Sequence, residues 1–381
     1  MTTKSGLRKT VIGAVYPHAS GVAQFNGAMV RGMRPSSPVD VISWRRMYPP
    51  LLHRGQALDP SSAGAEAPEA SFMLDWHDPR TWRRAVKRMD GFETAALILP
   101  WVHPVMAPPY RYFLRHASKG TARVVICHNV VPHEPVPGLR RVTRWTLREA
   151  DLIVTHAPHQ RRELEQLGLG DTPVLEAFHP RFDASEFAPP PPPEDVAAER
   201  RRHGEPDLLL LTFGAIRPYK GVDIALEALA RVDPGLDVRL VIAGRAWNGG
   251  DELEELVRSH GLTDRVEIRN RFIPNDEAAL LFAAADASLL PYRSASQSGV
   301  VQLSFAYGRP VIATRVGGLP AAVDDGVDGI LCEPAATDVA AAIERMARER
   351  VSLAAGARAG TDGVSFRRYG ELVDRAVAAL S

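Results

Sequence analysis

Short apolar runs alternate with stretches whose apolar positions recur at helical spacing, and the alternation continues through most of the chain. In the first half the strand-like runs are VIGAV (11–15), VDVISW (39–44), AALILPW (95–101), RVVICHN (123–129), DLIVTH (151–156) and PVLEAF (173–178). A helical pattern from about Val22 to Met33 follows the first of them. The second half repeats the scheme with LLLLTF (208–213), VRLVIAG (238–244), VEIRNRF (266–272), ASLLPY (287–292), PVIAT (310–314) and GILCEP (329–334). Segments such as DELEELVRSHG and AATDVAAAIERMARER supply helices between them. Strands alternating with helices predict an α/β protein with two doubly wound, mostly parallel sheets facing a central cleft. Five prolines, Pro189–Pro193, followed by a polar stretch suggest a stiff linker. The predicted division is therefore 1–188, a linker over 189–204, a second domain over 205–360, and a C-terminal helix over 361–381 that crosses back to the first domain.

Within this pattern the densest signal is LLLLTFGAIRPYKG, residues 208–221. Its apolar run predicts a strand buried on both faces. The run breaks at Gly214, and two cations, Arg217 and Lys220, precede Gly221 and a helix beginning near Val222. In open α/β sheets such a loop lies at the carboxyl edge, where ligands bind. A second turn, SQSG at 296–299, leads into another helix. Ser298 suits its N-cap, and Gly299 lets a ligand come close to the backbone. Free N–H groups at a helix start, aided by the helix dipole, attract anions. Each turn alone is also compatible with solvated cations or a capped helix. Two of them on neighbouring strand edges favour a diphosphate cradle.

Composition narrows the class. The chain has 381 residues, 45% hydrophobic and 24% charged, which fits a soluble two-domain protein. No apolar run nears the roughly 20 residues of a membrane helix. MTTKSGLRKT and the short apolar stretch after it do not read as a signal peptide, so the expected location is the cytoplasm. Cys127 and Cys332, far apart in apolar surroundings, read as two thiols and not a disulfide. Charge is unevenly spread. Residues 1–183 carry 24 Lys/Arg against 16 Asp/Glu, and the remainder 22 against 29. A basic first half suits an anionic acceptor or peripheral contact with the inner face of an anionic membrane. The run RRVTRWTLR (140–148) reads first as a solvated helix with one buried stripe. Binding of a phosphorylated or lipid acceptor is the sharper alternative.

Other chemistries lack their motifs. GAVYPHASG contains no G-x-G-x-x-G, and no acidic residue ends a second strand, which disfavours a nicotinamide dehydrogenase. No metal-ligand spacing and no G-x-S-x-G elbow occur. Neither a metal nor a nucleic-acid partner is expected.

FGAIRPYKGVDIALEAL, VIAGRAW, PYRSASQSGVVQLSFAYGRPVIATRVGGLP and DDGVDGILCEP together resemble the donor domain of glycosyltransferase family 4, which has the GT-B fold. ASGVAQFNGAMVRGM, LPWVHPVMAPPYRYFL, VVICHNVVPHE and DLIVTHAPHQRREL resemble its first domain. The resemblance covers nearly the whole chain. It implies transfer of a sugar from a nucleoside-diphosphate donor with retained anomeric configuration and no required metal or cofactor. It also implies that the first domain binds the acceptor and the second the donor. By the same resemblance Arg217, Lys220, Ser298, Gly299 and Val300 hold the donor diphosphate, with Gly21 approaching from the first domain. His128 matches the family's active-site histidine. Arg271, Phe272 and Ile273 fall where the nucleobase is contacted. His103, His133 and Glu134 are acceptor-side candidates, and the region of Trp44–Met47 is where further acceptor contacts are expected.

One departure stands out. The family usually carries two glutamates eight apart in the second-domain turn, but no Asp or Glu occurs between Asp286 and Asp324. Gln297 and Gln302 are the polar residues available for the donor sugar and ribose. A neutral amide both donates and accepts, and it binds hydroxyls more weakly than a carboxylate. The departure leaves a second reading, a GT-B-shaped nucleotide-sugar binding protein with little turnover.

Overall fold

The computed structural model describes residues 7–18, 20–47, 69–131, 138–246, 250–359 and 364–380. The chain divides into two compact units. Among the described residues, one comprises 7–18, 20–47, 69–131, 138–180 and 364–380, and the other 181–246 and 250–359.

The first unit is built on seven parallel strands in the order β3-β2-β1-β4-β5-β6-β7. These are β1 (Lys9–Ile12), β2 (Val39–Arg46), β3 (Ser71–Asp75), β4 (Ala96–Trp101), β5 (Ala122–Cys127), β6 (Leu152–Thr155) and β7 (Val174–Glu176). β3 is not evident from the sequence pattern, because it is a short edge strand whose Phe72 stays exposed. Helices α2 (Pro79–Gly91), α3 (Ala107–His116), α4 (Leu139–Leu147) and α5 (Pro158–Gln166) share one core with β1, β2, β4, β5 and β6. Trp82 and Met89 of α2, Phe113 and Leu114 of α3, Leu147 of α4 and Leu164 of α5 supply its apolar side chains. Burying a side chain of this size stabilises by about 1.5–3 kcal/mol.

Helix α1 (Gly21–Met33) packs against the last helix of the chain, α13 (Phe366–Ala378). The contact is close because Gly32 lies against the Phe366 backbone, where a Cβ would come within 2.6 Å of its carbonyl carbon. Asp374 of α13 pairs with the buried Lys9 of β1 at 2.5 Å, and Lys9 also donates to Ser37 Oγ at 2.6 Å.

The second unit holds six parallel strands in the order β10-β9-β8-β11-β12-β13. They are β8 (Leu208–Phe213), β9 (Val238–Ala243), β10 (Val266–Arg269), β11 (Ala287–Leu290), β12 (Val311–Thr314) and β13 (Gly329–Cys332). As its unbroken apolar run predicts, β8 is buried along Leu208–Thr212. Helices α8 (Val222–Arg231) and α12 (Ala336–Ala359) contribute to the main core. Helix α10 (Asn275–Ala284) packs on a second cluster with Phe282 at its centre.

The proline run is not followed by a linker. Residues Pro193–Arg202 form helix α7, with Pro193 in its first turn, where a missing N–H costs nothing. Its Glu199 is 4% exposed and bonds His203 at 3.3 Å and Arg269 of β10. The hydrogen bond from His203, helped by Arg269, pulls the Glu199 carboxyl down to about 2. The division between units falls between Pro180 and Arg181 instead. Arg181 is held within the second unit by Asp328 at 3.0 Å and the Ala357 carbonyl at 3.1 Å. Cys127 and Cys332 are both free thiols.

Candidate functional site

Parallel pairing puts the carboxyl ends of β8, β11 and β12 side by side, although β11 lies far along the chain from β8. That adjacency joins the two anion-ready turns. The β8 loop closes in a tight 3-10 turn over Pro218–Lys220. Gly221 ends it at φ 63°, a left-handed conformation, and caps α8. Its hydrogen faces the Pro291 carbonyl so closely that a Cβ would sit 2.0 Å from that oxygen. Only glycine lets the two loops meet here. Arg293 reinforces the junction, donating its backbone N–H to Tyr219 O at 2.7 Å and its guanidinium to Pro218 O at 3.0 Å.

Tyr292 lies at the centre of the assembled turn. It is 3% exposed, and its carbonyl accepts from Thr314 Oγ1 of β12 at 2.6 Å. The Lys220 ammonium stands 5.5 Å from its ring centroid. Burial pushes the Tyr292 phenol up to about 12, opposed by a hydrogen bond with the Ser298 side chain. Lys220, Tyr292 and Ser298 thus form one continuous set, so the structure brings Lys220 to the turn that starts the Ser298 helix.

Lys220 is 7% exposed and donates to the Phe213 carbonyl at 2.9 Å. Burial lowers its pKa and nearby Arg217 lowers it further, while Tyr219 acts in the opposite sense. A buried ammonium beside a second cation, without a carboxylate among the causes of its shift, is arranged for an anion. Helix α11 (Gly299–Ala306) begins in the same turn, with Ser298 as N-cap. The Ser298 side chain makes no capping bond, because its hydroxyl serves Tyr292. Gly299 is exposed, with open space where a side chain would be, and Val300 is half-buried. Gln302 is 4% exposed with an unpartnered Oε1, and both amide atoms of Gln297 are shielded without a partner. Arg271, Phe272 and Ile273 follow β10, two strands away from β8. The Arg271 guanidinium is held by Glu277 at 2.7 Å through both nitrogens, and Ile273 is buried.

In the first unit, His128 directly follows β5, and its backbone N–H donates to Trp101 O at 2.9 Å. Its Nε2 is shielded from solvent and unpartnered. Burial and the neighbouring His179 lower its pKa to about 3, so the imidazole is neutral at physiological pH. Phe25 of α1 meets the His128 ring edge-on at 4.7 Å, and the His156 and His179 rings surround the same phenyl group at 5.7 and 5.4 Å. Gly21, the first residue of α1, is capped by Ser20 Oγ on Ala23 N at 3.1 Å and has open space around it. His103 accepts from Val105 N at 3.1 Å and so caps its own turn. His133 and Glu134 lie outside the described residues, whereas Trp44 is buried in β2.

Several residues around His128 have no sequence signature. Gln160 of α5 is fully buried and clamps two strand ends together. Its Oε1 accepts from His156 N at 2.8 Å, and its Nε2 donates to the carbonyls of Cys127 at 3.3 Å and His128 at 3.1 Å. His156 Nε2 hydrogen-bonds the Tyr369 hydroxyl of α13 at 2.9 Å, across 213 residues of sequence. Only periodicity could have flagged Gln160, as the polar member of an otherwise buried helix face. Among the described residues, no group of His, Cys, Asp and Glu is placed to hold a metal.

Known proteins resemble this chain in sequence and fold. Residues 207–349 match the family model described as Glycosyl transferases group 1. A D-inositol 3-phosphate glycosyltransferase of Geodermatophilus obscurus is 34% identical over 284 residues, covering 70% of this chain and 61% of that protein. The chain spans about three fifths of the length of such curated relatives. Among solved structures, HepE of Anabaena in complex with UDP and glucose superposes with a TM-score of 0.73 at 17% identity, covering 97% of this chain and 99% of that one. The catalytic domain of starch synthase IV from Arabidopsis thaliana, bound to ADP and acarbose, gives 0.73 at 16% identity, covering 98% and 100%. With its two parallel-sheet α/β units, this chain has the GT-B fold.

Proposed function

We propose that the protein is a retaining glycosyltransferase that moves a sugar from a nucleoside-diphosphate donor to a glycan, lipid-linked or small natural-product acceptor. The observation carrying this reading is the convergence of Lys220, Arg217 and the open start of α11 in one turn, joined through Tyr292. As the glycosidic bond breaks, negative charge builds on the leaving diphosphate. Fixed cations and helix-start N–H groups stabilise that charge without reorganising, and losing one such donor costs about 10²–10³ in rate. Gln297, with both amide atoms unpartnered, and Gln302, with its unpartnered Oε1, would take donor hydroxyls.

Neutral His128 suits a hydrogen bond to a sugar hydroxyl better than a proton-transfer role near pH 7. Gly21 would approach the diphosphate from the first unit, and the segment around Arg271–Ile273 would meet the base. His103 remains an acceptor-side candidate with its ring already engaged locally. Because cations of the chain take the diphosphate charge, no metal is required in this reading. Peripheral contact with an anionic membrane belongs to the same proposal.

The test is nucleotide release from UDP-, GDP-, dTDP- and ADP-sugars, with and without acceptors that include D-inositol 3-phosphate, the one named for the relatives. Release dependent on both Lys220 and His128, and unchanged by EDTA, supports the reading. Thermal stabilisation by a nucleotide with no release from any donor would overturn it.

A further inference from the structure

The cations of the first unit are not scattered over it. Between residues 79 and 148 there are 13 Lys/Arg against 3 Asp/Glu. Helices α2, α3 and α4 within this segment lie side by side, α2 against α3 and α3 against α4, with their apolar sides on the same sheet face. Their polar sides therefore form one continuous outer surface.

On α4 the exposed residues are Arg140, Arg141, Arg144 and Trp145, with Arg148 at its C-cap. The spacing of i, i+1, i+4, i+5 and i+8 places them on one face. Trp145 is 42% exposed, although a tryptophan is costly to leave in water. Its indole is held against the guanidinium of Arg111 at 4.2 Å, while Arg111 Nε donates to the Trp145 carbonyl at 3.0 Å. Arg111 in turn pairs with Glu149 at 2.5 Å, so its own charge is already balanced. On α2, Arg83, Arg84 and Lys87 are exposed, and none of them has a salt bridge among the described residues; the same holds for Arg140, Arg141 and Arg144. Arg140 also faces the Glu163 carboxylate of α5, whose pKa it lowers against the rise that burial causes. Arg83, Arg84 and Lys87 of α2 and Arg141 and Arg144 of α4 repel one another without an ion pair among the described residues to offset them.

We infer that the α2–α3–α4 face is a docking surface for an anionic lipid bilayer, with Trp145 seated at the headgroup level. The face is the joined backs of packed helices and not a groove, which suits a planar partner better than a nucleic-acid strand. An amphipathic indole among arginines is the side-chain pair that favours the membrane–water interface. Each cation near such a surface multiplies partitioning by about fivefold. The inference deepens the membrane-contact part of the proposed function and rests on surface charge, not on sugar transfer. Vesicle binding and nucleotide release can therefore fail separately.

Co-sedimentation of the full chain with phosphatidylglycerol/phosphatidylcholine vesicles tests it. Binding is expected to rise with phosphatidylglycerol content and to weaken as salt is raised. The triple variant Arg140→Gln/Arg141→Gln/Arg144→Gln is expected to lose about 100-fold in partitioning at unchanged Tm. A control triple, Arg34→Gln/Arg367→Gln/Arg368→Gln, removes the same charge from α1 and α13 and is expected to retain binding. Trp145→Phe should abolish a vesicle-induced blue shift of tryptophan emission. Equal loss in both triples, no sedimentation with vesicles rich in phosphatidylglycerol at low salt, or tighter binding to a short RNA or DNA duplex than to vesicles would each overturn the inference.

Discussion

The two candidate regions treat polar groups in opposite ways. In the second unit, the joined β8 and β11 turns bury the Lys220 amine beside another cation, which lowers its pKa, and leave a helix start open. In the first unit, the end of β5 holds three imidazoles around a phenyl ring, and burial lowers the pKa of all three. In the proposed reading the first arrangement would take an anion and the second a neutral, hydroxyl-bearing group.

The sharpest way to break this comparison is Lys220→Met. Donor turnover should fall about 10²–10³-fold, because a preorganised cation is lost. The Tm of the ligand-free protein should rise, since a depressed lysine pKa means the buried charge costs stability at neutral pH. A lower Tm would show that the ammonium is a structural group satisfied by the Phe213 carbonyl. His128→Gln, by contrast, is expected to lower kcat with little gain in Tm, because its ring is already neutral.

Next in size is Gly221→Ala. A side chain there meets the Pro291 oxygen at 2.0 Å in left-handed backbone, so a destabilisation above about 1–2 kcal/mol is expected. Chemical denaturation with an unchanged m-value would measure it, and a neutral outcome would mean that the two loops are not locked together.

Acid should act on the histidine side. Folded-state values of about 3 for His128 and about 4 for His179 lie below the usual 6.5. The unfolded chain then binds more protons below pH 6.5. Stability is full above that pH and is lost as pH falls from about 6.5 toward 4. Tm measured across this range should drop, and His179→Gln should flatten the drop. Identical profiles for both proteins would remove the histidine cluster as its cause.

The smallest effect is expected for Tyr369→Phe, which deletes only the hydroxyl on His156 and costs about 1 kcal/mol. If the pair also orients the cluster, kcat should change more than KM.

Much of the second unit could be read directly. Arg217, Lys220 and Ser298 were recognisable because strand, loop and helix start are contiguous in the chain, and β8 is apolar throughout. Tyr292, in the same segment, has no signature of its own, since only packing against Lys220 and Ser298 gives it a role. The proline run is ambiguous for a physical reason. Proline in a first turn starts a helix as readily as it stiffens a linker, and Glu199 decides between them by reaching Arg269, 70 residues away.

The sequence by itself determined the alternation of strands and helices, the two parallel sheets, and the sign of charge carried by each loop and helix face. Those properties follow from the periodicity and chemistry of neighbouring residues. Tertiary structure alone decided that Gln160 ties His128 to His156, that the Tyr369 hydroxyl meets His156, and that Tyr292 packs between Lys220 and Ser298. Such pairings depend on which distant surfaces bury each other best, and no local pattern encodes that choice.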